Sequence, residues 1–401
     1  MIINENMHEE AQLGAQQTEV NPERLLKVGI THGDVNGIGY ELIFNTFAEI
    51  GMFEICTPVI YGSAKAAAYH RKTLGVEQSF HVVETASNAE AGRLNLISCF
   101  DEEVNIELGR ASTEAGRAAF IALERATADL REGLIDVLVT APICKSAIRS
   151  AGFNFAGHTE YLYDRLSAED AADGPLMILT NSLMKVALVT THLPIDEVAG
   201  AITTEAVLAK IRQFHKSLRH DFLLPAPRIA VLGLNPHSGD NGALGSEEQE
   251  AIAPAIAAAV EEGIQCFGPY PADGFFGTAM YTRFDGVLAM YHDQALAPFK
   301  ALSMDDGVNF TAGLPFVRTS PDHGTAFDIA GKNMASCASF RQAIYTAIDI
   351  FRNNKADNEA NANPLKKLYH EHREDSDRQR HMKPSPAPRS ENKPDDKPVQ
   401  Q

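Results

Sequence analysis

The sequence predicts an α/β fold in which most strands run parallel. Short apolar runs of strand length recur along the chain, and they lack the alternation of a strand with one exposed face, which is typical of strands covered on both sides. A loop rich in glycine or proline, and then a helical pattern, follows most of these runs. This repeated order of strand, loop and helix is typical of α/β proteins with parallel sheets.

In the first part of the chain the elements are marked by caps and turns. The helix that begins near Ser112 has apolar residues at helical spacing, such as Phe120 and Leu123, and ends at Gly133. The predicted elements here are strand 25–30, strand 59–61, a helix from Ser63, the helix from Ser112 and strand 135–140.

A glycine-rich turn, Thr31–Glu41, connects the first strand to a helix. Its glycines, Gly33, Gly37 and Gly39, do not match the GxGxxG dinucleotide fingerprint. Two interpretations stay open. Either the turn needs glycine for its tight geometry, which the spacing favours, or its N–H groups hold an anion or cofactor.

Three further apolar runs each lead to a histidine. Ligands of open α/β sheets bind outside the carboxyl ends of the strands. Three imidazoles at that edge suit a divalent metal such as zinc and leave coordination positions open for a substrate. The sequence therefore predicts a metal site, with packed or solvated histidines as the alternative. The runs and their histidines are 186–191 with His192, 229–234 with His237, and 286–291 with His292.

Charged residues near these strand ends are candidates for substrate binding and proton transfer. Lys145, Lys300 and Arg318 lie in apolar or glycine-rich surroundings of an acidic protein, so each is a candidate for binding a phosphate or carboxylate. An ordinary surface charge is the alternative for each. Asp293, beside the last histidine, and Asp273 are candidates for orienting a ligand or moving a proton. For Asp273 the sequence pattern itself favours a turn or cap aspartate.

Composition excludes several classes of function. The 401 residues carry a net charge of −18, which argues against nucleic acid as a partner. Five scattered cysteines form no CxxC pair, so neither a disulfide framework nor a thiolate zinc site is expected. Residues 1–23 lack the apolar core of a signal peptide, and no apolar run reaches the roughly 20 residues that span a membrane. A cytoplasmic protein with no nucleic-acid or membrane partner is expected.

The C-terminal part is predicted to hold a loop, a last helix and a tail. Residues 307–332 are dense in Gly, Thr and Asp, too irregular for a helix and too polar for a buried strand, so a functional surface loop is expected. A last helix is expected at 336–351. Residues 353–401 are charged and rich in proline and are expected to form a mostly disordered tail, and 1–23 a flexible lead-in.

Nine segments occur in order between residues 25 and 350: THGDVNGIGYE, TAPICK, FAGHTEY, VTTHLP, GLNPHSGDNGALGSEE, GPYPAD, AMYHDQ, GVNFTAGLPFVRTS and DHGTAFDIAGK. In that order they resemble the 4-hydroxythreonine-4-phosphate dehydrogenase family, which supplies an oxidation step in one route to pyridoxal phosphate. The HGTAFDIAGK segment also resembles the cofactor loop of isocitrate and isopropylmalate dehydrogenases. The resemblance implies their fold, with two α/β/α domains and a cleft between them.

The resemblance also implies site residues, position by position. The family's metal ligands fall on His192, His237 and His292, the three histidines at the strand ends. Val35 and Tyr40 stand where the family commonly has proline, which affects the expected loop shape more than the function. Substrate-binding residues are implied at His158, Thr159, Lys300, Asn309 and Arg318, and NAD-binding residues at His323, Gly324, Thr325 and Asp328.

The family's quaternary structure implies a homodimer whose active site is completed by the partner subunit. By this resemblance, residues 24–145 combine with 301–352 into one domain that carries the cofactor loop. Residues 146–300 form the other domain, which carries the metal and substrate residues.

The implied reaction is the NAD-dependent oxidation of 4-phosphohydroxy-L-threonine, with loss of carbon dioxide to give 3-amino-2-oxopropyl phosphate. One divalent metal ion per site (Zn, Mg or Co) would acidify the substrate hydroxyl, a base would remove its proton, and hydride would leave to NAD. The catalytic candidates for moving that proton are Asp273, Asp293 and Lys300.

Three alternatives stay open for the function. The nearest is a sister enzyme that oxidises D-threonate or D-erythronate 4-phosphate on the same fold. A metal-dependent hydrolase is less favoured, because it leaves the HGTAFDIAGK segment unexplained. A sugar-phosphate sensor is the weakest, since it does not need an open metal site.

Overall fold

The computed structural model describes residues 24–100, 104–167, 174–302 and 305–364. Its strands are β1 (Leu26–Thr31), β2 (Cys56–Gly62), β3 (His81–Val83), β4 (Asn95–Ser98), β5 (Val137–Thr140), β6 (Leu176–Thr180), β7 (Lys185–Leu188), β8 (Ile229–Leu232), β9 (Cys266–Tyr270), β10 (Gly286–Ala289), β11 (Val308–Ala312) and β12 (Val317–Pro321).

The helices of the same described ranges are α1 (Gly39–Phe47), α2 (Met52–Ile55), α3 (Ala64–Leu74), α4 (Thr113–Arg131), α5 (Lys145–Ser150), α6 (His158–Leu166), α7 (Ile195–Ala201), α8 (Thr204–His220), α9 (Ala253–Glu261), α10 (Ala272–Gly277), α11 (His292–Leu302) and α12 (Ala338–Asn361). The helices predicted to begin near Ser63 and Ser112 are present, and the hydroxyls of these two residues accept hydrogen bonds from the first turns of α3 and α4.

The described strands form one twelve-stranded sheet in the order β3-β4-β2-β1-β5-β12-β11-β6-β7-β10-β8-β9. The strands from β3 to β12 in this order pair in parallel, and so do those from β7 to β9. Between these two blocks, β11 pairs antiparallel with β12 and with β6, and β6 pairs antiparallel with β7. The predicted α/β class with mostly parallel strands is confirmed.

Helices cover both faces of the sheet. In β5, Val137 and Val139 pack in the core cluster that contains Phe340 of α12, whereas Leu138 packs in the opposite cluster with Leu123 of α4. Because successive residues of a strand point to opposite faces, a strand covered on both sides is apolar at every position. This is why the apolar runs of the sequence show no alternation.

The strands that precede the three histidines are neighbours in the sheet. β10 pairs in parallel with β7 on one side and with β8 on the other, so their carboxyl ends lie at the same edge. The predicted strands are confirmed, although β7, β8 and β10 end at Leu188, Leu232 and Ala289, earlier than predicted. The residues between each strand and its histidine form the loops of the site.

The prediction of a surface loop at 307–332 is wrong for its first half, since β11 and β12 are buried strands in the middle of the sheet. Their polar side chains find partners inside the fold. The hydroxyl of Thr319, for example, donates to the carbonyl of Ala343 in α12 at 2.8 Å. A hydrophobicity pattern cannot foresee such partners, because they come from distant parts of the sequence.

The last helix is longer than predicted, and residues 353–361 belong to it rather than to a disordered tail. Two contacts with the end of α8 account for the extension. Asn353 donates to the Asp221 carbonyl at 2.8 Å, and His220 Nδ1 lies 2.7 Å from a carboxylate oxygen of Asp357. The predictions for 1–23 and for 365–401 lie outside the described residues.

The described residues from Arg24 to Asp357 pack as one compact unit. The division into 24–145 plus 301–352 and 146–300 therefore stays a prediction, although the strands of the two groups occupy opposite halves of the sheet. Among the described helices, none is long and apolar enough to cross a membrane. The cytoplasmic location stays a prediction.

Candidate active site

A cavity of about 350 Å³ lies beside the carboxyl ends of β5, β7 and β10. It brings together residues that are far apart in sequence and that come from both halves of the sheet. Of the residues predicted for the site, those that line this cavity are Lys145, His158, Thr159, His192, His292, Lys300, Asn309, Arg318, His323 and Gly324.

The buried side chain of Arg318 gives the cavity a positive charge that its hydrogen-bond partners do not neutralise. The residue is 3% exposed. Its Nε and Nη2 donate to Thr140 Oγ1 at 3.2 and 2.6 Å, and its Nη1 donates to Thr311 Oγ1 at 3.1 Å. Burial lowers the pKa of the guanidinium to about 10, so it stays protonated at neutral pH. A buried cation held by neutral hydroxyls suits a phosphate or carboxylate.

His158 lies next to Arg318 and is uncharged. Arg318 Nη2 donates to His158 Nδ1 at 3.2 Å. Burial, together with the charges of Arg318 and Lys145, lowers the pKa of His158 well below 6.5. Because Nδ1 accepts, the proton of the neutral ring is on Nε2, and this atom is buried without a hydrogen-bond partner among the described residues. An unpaired donor beside an arginine suits an anionic oxygen.

The first turn of α6 adds backbone donors to the same side of the cavity. The helix begins at His158, and Gly157 before it offers no side chain to cap the first N–H groups. Gly157, His158 and Thr159 all line the cavity. Free N–H groups and the helix dipole both favour an anion at such a place.

His192 is held between a lysine and a carboxylate. Lys145 Nζ lies 3.4 Å from His192 Nε2, and Glu160 Oε1 lies 3.6 Å from His192 Nδ1. The contact with His192 lowers the pKa of the Glu160 carboxyl, so this group is ionised at neutral pH. The lysine can donate only to a lone pair, which assigns the lone pair of the neutral ring to Nε2 and its proton to Nδ1.

His292, like His192, has a carboxylate next to its Nδ1, which here is that of the neighbouring Asp293. Its Nδ1 donates to Asp293 Oδ1 at 2.7 Å, which again leaves the lone pair on Nε2. The rings of His192 and His292 lie side by side, with centroids 6.1 Å apart. Asp293 itself does not line the cavity, and its side chain is 84% exposed.

His237 does not join the other two histidines within one chain. It lines a separate depression of about 550 Å³, together with Asp273 and Asp293. Within the described ranges, no three His, Cys, Asp or Glu side chains are grouped so that they could hold a metal ion. The metal site of His192, His237 and His292 therefore stays a prediction.

Lys300 connects the cavity to the predicted cofactor loop. Its Nζ donates to the Asp322 carbonyl at 3.1 Å and lies 3.4 Å from the Asp322 carboxylate. Burial raises the pKa of Asp322, and the nearby Lys300 opposes that shift. His323 follows, with a pKa lowered by burial and with an Nε2 that has no hydrogen-bond partner in the described structure.

The rest of the predicted cofactor loop leaves the cavity and meets the glycine-rich turn. Asp328 is exposed, and the Thr325 carbonyl accepts a hydrogen bond from the Ile38 N–H at 3.2 Å. A Cβ at Gly37 would lie 2.9 Å from that carbonyl oxygen, and one at Gly33, whose φ is +73°, would lie 2.3 Å from the Pro142 oxygen. Tight packing therefore accounts for these glycines, as the spacing favoured.

Several residues that line the cavity or hold its lining were not predicted. Glu160 stands in the GHTE segment, but nothing local shows that it faces a histidine 32 positions further on. Asp322 directly precedes the cofactor loop, which could have identified it. Thr140 and Thr311 are ordinary strand residues, and only the fold reveals that they hold Arg318.

The family model described as "Pyridoxal phosphate biosynthetic protein PdxA" matches residues 54–347. The chain belongs to this family. A 4-hydroxythreonine-4-phosphate dehydrogenase of Bacteroides thetaiotaomicron is 58% identical over 356 residues, which cover 89% of this chain and 97% of the relative. The crystal structure of 4-hydroxythreonine-4-phosphate dehydrogenase from Klebsiella pneumoniae has a TM-score of 0.70 and 35% identity, and the match covers 82% of this chain and 98% of that one.

Membership of the PdxA family confirms the predicted resemblance and an oxidoreductase function in pyridoxal phosphate biosynthesis. A further relative, from Oceanobacillus iheyensis, is provisionally named a D-threonate 4-phosphate dehydrogenase. It is 38% identical over 327 residues, which cover 80% of this chain and 97% of the relative. The two names differ in substrate in the same way as the reaction implied by the sequence and its nearest alternative.

Proposed function

We propose that this PdxA-family chain oxidises 4-phosphohydroxy-L-threonine with NAD and that the product loses carbon dioxide to give 3-amino-2-oxopropyl phosphate. The observation that carries the proposal is one cavity lined by Arg318, by His192 and His292, and by His323 of the predicted cofactor loop. A metal-assisted dehydrogenase requires groups that bind the anionic substrate, the metal and the cofactor close together, and this cavity combines candidates for all three.

The phosphate of the substrate is assigned to the side of the cavity with Arg318. The guanidinium supplies charge, His158 Nε2 supplies an unpaired N–H donor, and the first turn of α6 supplies backbone donors at Thr159. Asn309, whose buried Oδ1 has no partner in the described structure, is assigned to the polar groups of the substrate.

The donor chemistry of His192 and His292 fits a divalent metal. Each ring has a carboxylate at Nδ1, which places the lone pair on Nε2, as at many metal-bound histidines. In His192 this lone pair faces Lys145 Nζ, which a bound metal would displace. We assign these two residues and His237 as ligands of one Zn, Mg or Co ion. When bound, such an ion supplies Lewis acidity toward the hydroxyl that is oxidised.

A second copy of the chain is proposed to complete the site. One chain holds His192 and His292 together but keeps His237 in a separate depression. In a symmetric homodimer the His237 of one copy can meet the His192 and His292 of the other, and a twofold axis then makes two equivalent sites.

Proton transfer is assigned to Lys300, whose Nζ reaches the cavity while Asp322 holds it. Asp293 and Asp273 are the other candidates. Asp293 orients His292, and Asp273 shares the depression that contains His237. The nicotinamide end of NAD is assigned to His323 and Gly324, which line the cavity, with Thr325 and Asp328 further along the same loop.

The experiment that tests this function follows NADH formation from 4-phosphohydroxy-L-threonine with and without a chelator. The proposal expects NAD reduction that stops when the metal is removed and returns when it is restored, with one carbon dioxide released per NADH. NADH formation that a chelator does not affect would contradict the metal assignment, and turnover without NAD would indicate the hydrolase.

The second candidate function is the oxidation of D-threonate or D-erythronate 4-phosphate, which the Oceanobacillus relative favours. The same assay with these phosphates distinguishes the candidates. A higher kcat/KM for either of them than for 4-phosphohydroxy-L-threonine would replace the first proposal with the second.

A further inference from the structure

The turn that carries His237 has an unusual backbone. After β8 the chain enters Pro236–Gly242, in which His237, Ser238, Asp240 and Asn241 have φ values between 42° and 55°. Residues other than glycine rarely adopt this left-handed conformation, because their Cβ crowds the following carbonyl. A turn with four such residues is strained, and other groups of the fold must hold its backbone in this conformation.

The buried carboxylate of Glu248 holds the entry to this turn. The residue is 3% exposed. Its Oε1 accepts the backbone N–H groups of Leu234 and Asn235 at 2.8 and 2.7 Å, and its Oε2 accepts Asn235 Nδ2 at 3.0 Å. Three N–H donors thus satisfy a carboxylate that has no cationic partner in these bonds.

Glycines around Glu248 let the chain close tightly on the carboxylate. A Cβ at Gly239, inside the turn, would lie 2.7 Å from Glu248 Oε2. A Cβ at Gly233, before the turn, would lie 3.0 Å from Glu248 Oε1 and 2.8 Å from Ser238 Oγ. The carboxylate is therefore enclosed by the strand end on one side and by the left-handed turn on the other.

A glutamine ties the same strand end to the segment that bears His292. Gln294 Nε2 donates to the Gly233 carbonyl at 2.7 Å, and Gln294 Oε1 accepts the Met290 N–H at 2.7 Å. The position of the His237 turn is thus fixed relative to the β10–α11 connection as well as to Glu248.

We propose that Glu248 is a positioning residue that holds His237 in the orientation in which it binds the metal. Glu248 does not line the cavity or the depression of His237. It acts through the backbone of Leu234 and Asn235. The proposal rests on the proposed role of His237 as a metal ligand.

The test compares Glu248→Gln with Glu250→Gln in the full-length protein. Glu250 is exposed two residues further along, so its variant makes the same chemical change without touching the turn. Two quantities are measured: hydrogen exchange over 234–245, and the affinity of the metal-free protein for Co²⁺ by calorimetry. Glu248→Gln is expected to exchange faster and to bind Co²⁺ roughly 10–100-fold more weakly, the usual effect of losing a group that orients a metal ligand. Glu250→Gln is expected to match the wild type.

Two further variants separate the proposal from the function on which it rests. If His237→Ala binds Co²⁺ as tightly as the wild type, His237 is not a metal ligand. Faster hydrogen exchange in Glu248→Gln would then still show that Glu248 holds the turn. If His237→Ala binds weakly but Glu248→Gln binds like the wild type, the positioning role is overturned. Should Glu248→Gln not fold, Glu248→Asp, which keeps the charge but is too short to reach the N–H groups of Leu234 and Asn235, replaces it with the same criteria.

Discussion

At the scale of single residues, Arg318 determines what the cavity can bind. The sequence already makes Arg318 a candidate for binding an anion, because a basic residue in an apolar stretch of an acidic chain requires a negatively charged partner. Its hydrogen bonds to Thr140 and Thr311 could not be predicted, since they depend on how β12 lies between β5 and β11. Those bonds hold the guanidinium without neutralising it, which keeps it available for an anion.

Replacing Arg318 is therefore expected to affect the binding of a phosphorylated substrate above all. Charge-assisted hydrogen bonds contribute about 1.5–3 kcal/mol, so Arg318→Met is expected to raise KM about 10–100-fold. Arg318→Lys, which keeps the charge but not the planar fork, is expected to fall between this variant and the wild type. Steady-state kinetics with the preferred substrate measure the effect, and Arg93→Lys at an exposed position is the control. An unchanged KM in Arg318→Met would remove the phosphate assignment.

Buried histidines make the stability of the fold sensitive to acid. Burial lowers the pKa of His32 to about 3 and that of His70 to about 4. Below about pH 6.5 the unfolded chain binds protons at these imidazoles and the folded chain does not, so stability falls as the pH drops from 6.5 toward 4. Asp34 acts in the opposite direction, because burial raises its pKa to about 6 and the folded chain takes up that proton first.

His70→Gln is expected to reduce this acid sensitivity. Glutamine can still donate to the Val35 carbonyl, which His70 Nε2 contacts at 2.8 Å, but it does not titrate. The slope of the unfolding free energy against pH should fall by about 0.7 kcal/mol per pH unit at pH 6.5 and by about 1.4 near pH 5. Urea denaturation at a series of pH values measures the slope, and the interval from pH 7 to 8 serves as the internal control. An equal slope in both proteins below pH 6.5 would show that His70 takes up a proton in the folded state.

At the scale of elements, the sequence predicted what local patterns determine. β7, β8 and β10 were predicted because a continuous apolar run of strand length is a local signal. β11 and β12 were missed because Thr311 in β11 and Arg318 and Thr319 in β12 look polar until their partners are known. The extension of α12 depends in the same way on contacts with α8. In the site, single residues were predictable from motifs, whereas pairs such as Glu160 with His192 were not.

The bond between Thr319 and α12 is expected to stabilise the sheet measurably. The Thr319 side chain is completely buried, and its hydroxyl donates to the Ala343 carbonyl. Thr319→Val keeps the shape but leaves that carbonyl without this donor, so the free energy of unfolding should fall by about 1–2 kcal/mol. Chemical denaturation measures the loss. Thr282→Val, which removes a hydroxyl bond at an exposed turn, is the matched control and should cost less. Equal losses in the two variants would contradict the role given to the buried bond.

At the scale of the whole molecule, the proposed site requires two copies of the chain. If His192 and His237 of one site come from different copies, two inactive variants can restore each other. A heterodimer of His192→Ala and His237→Ala has one site with both substitutions and one site with neither. Mixing the unfolded variants and refolding them together should therefore recover about a quarter of the wild-type activity, since half of the dimers are heterodimers with one intact site. If the mixture stays as inactive as its components, each site takes its ligands from one copy.

The most direct test of the central claim, that three histidines share one metal ion, is equilibrium dialysis of the metal-free protein against Co²⁺. The wild type is expected to bind one ion per chain, and His192→Ala, His237→Ala and His292→Ala are each expected to lose that tight binding while keeping their fold. A variant of any of the three that still binds one ion per chain with wild-type affinity would contradict the account.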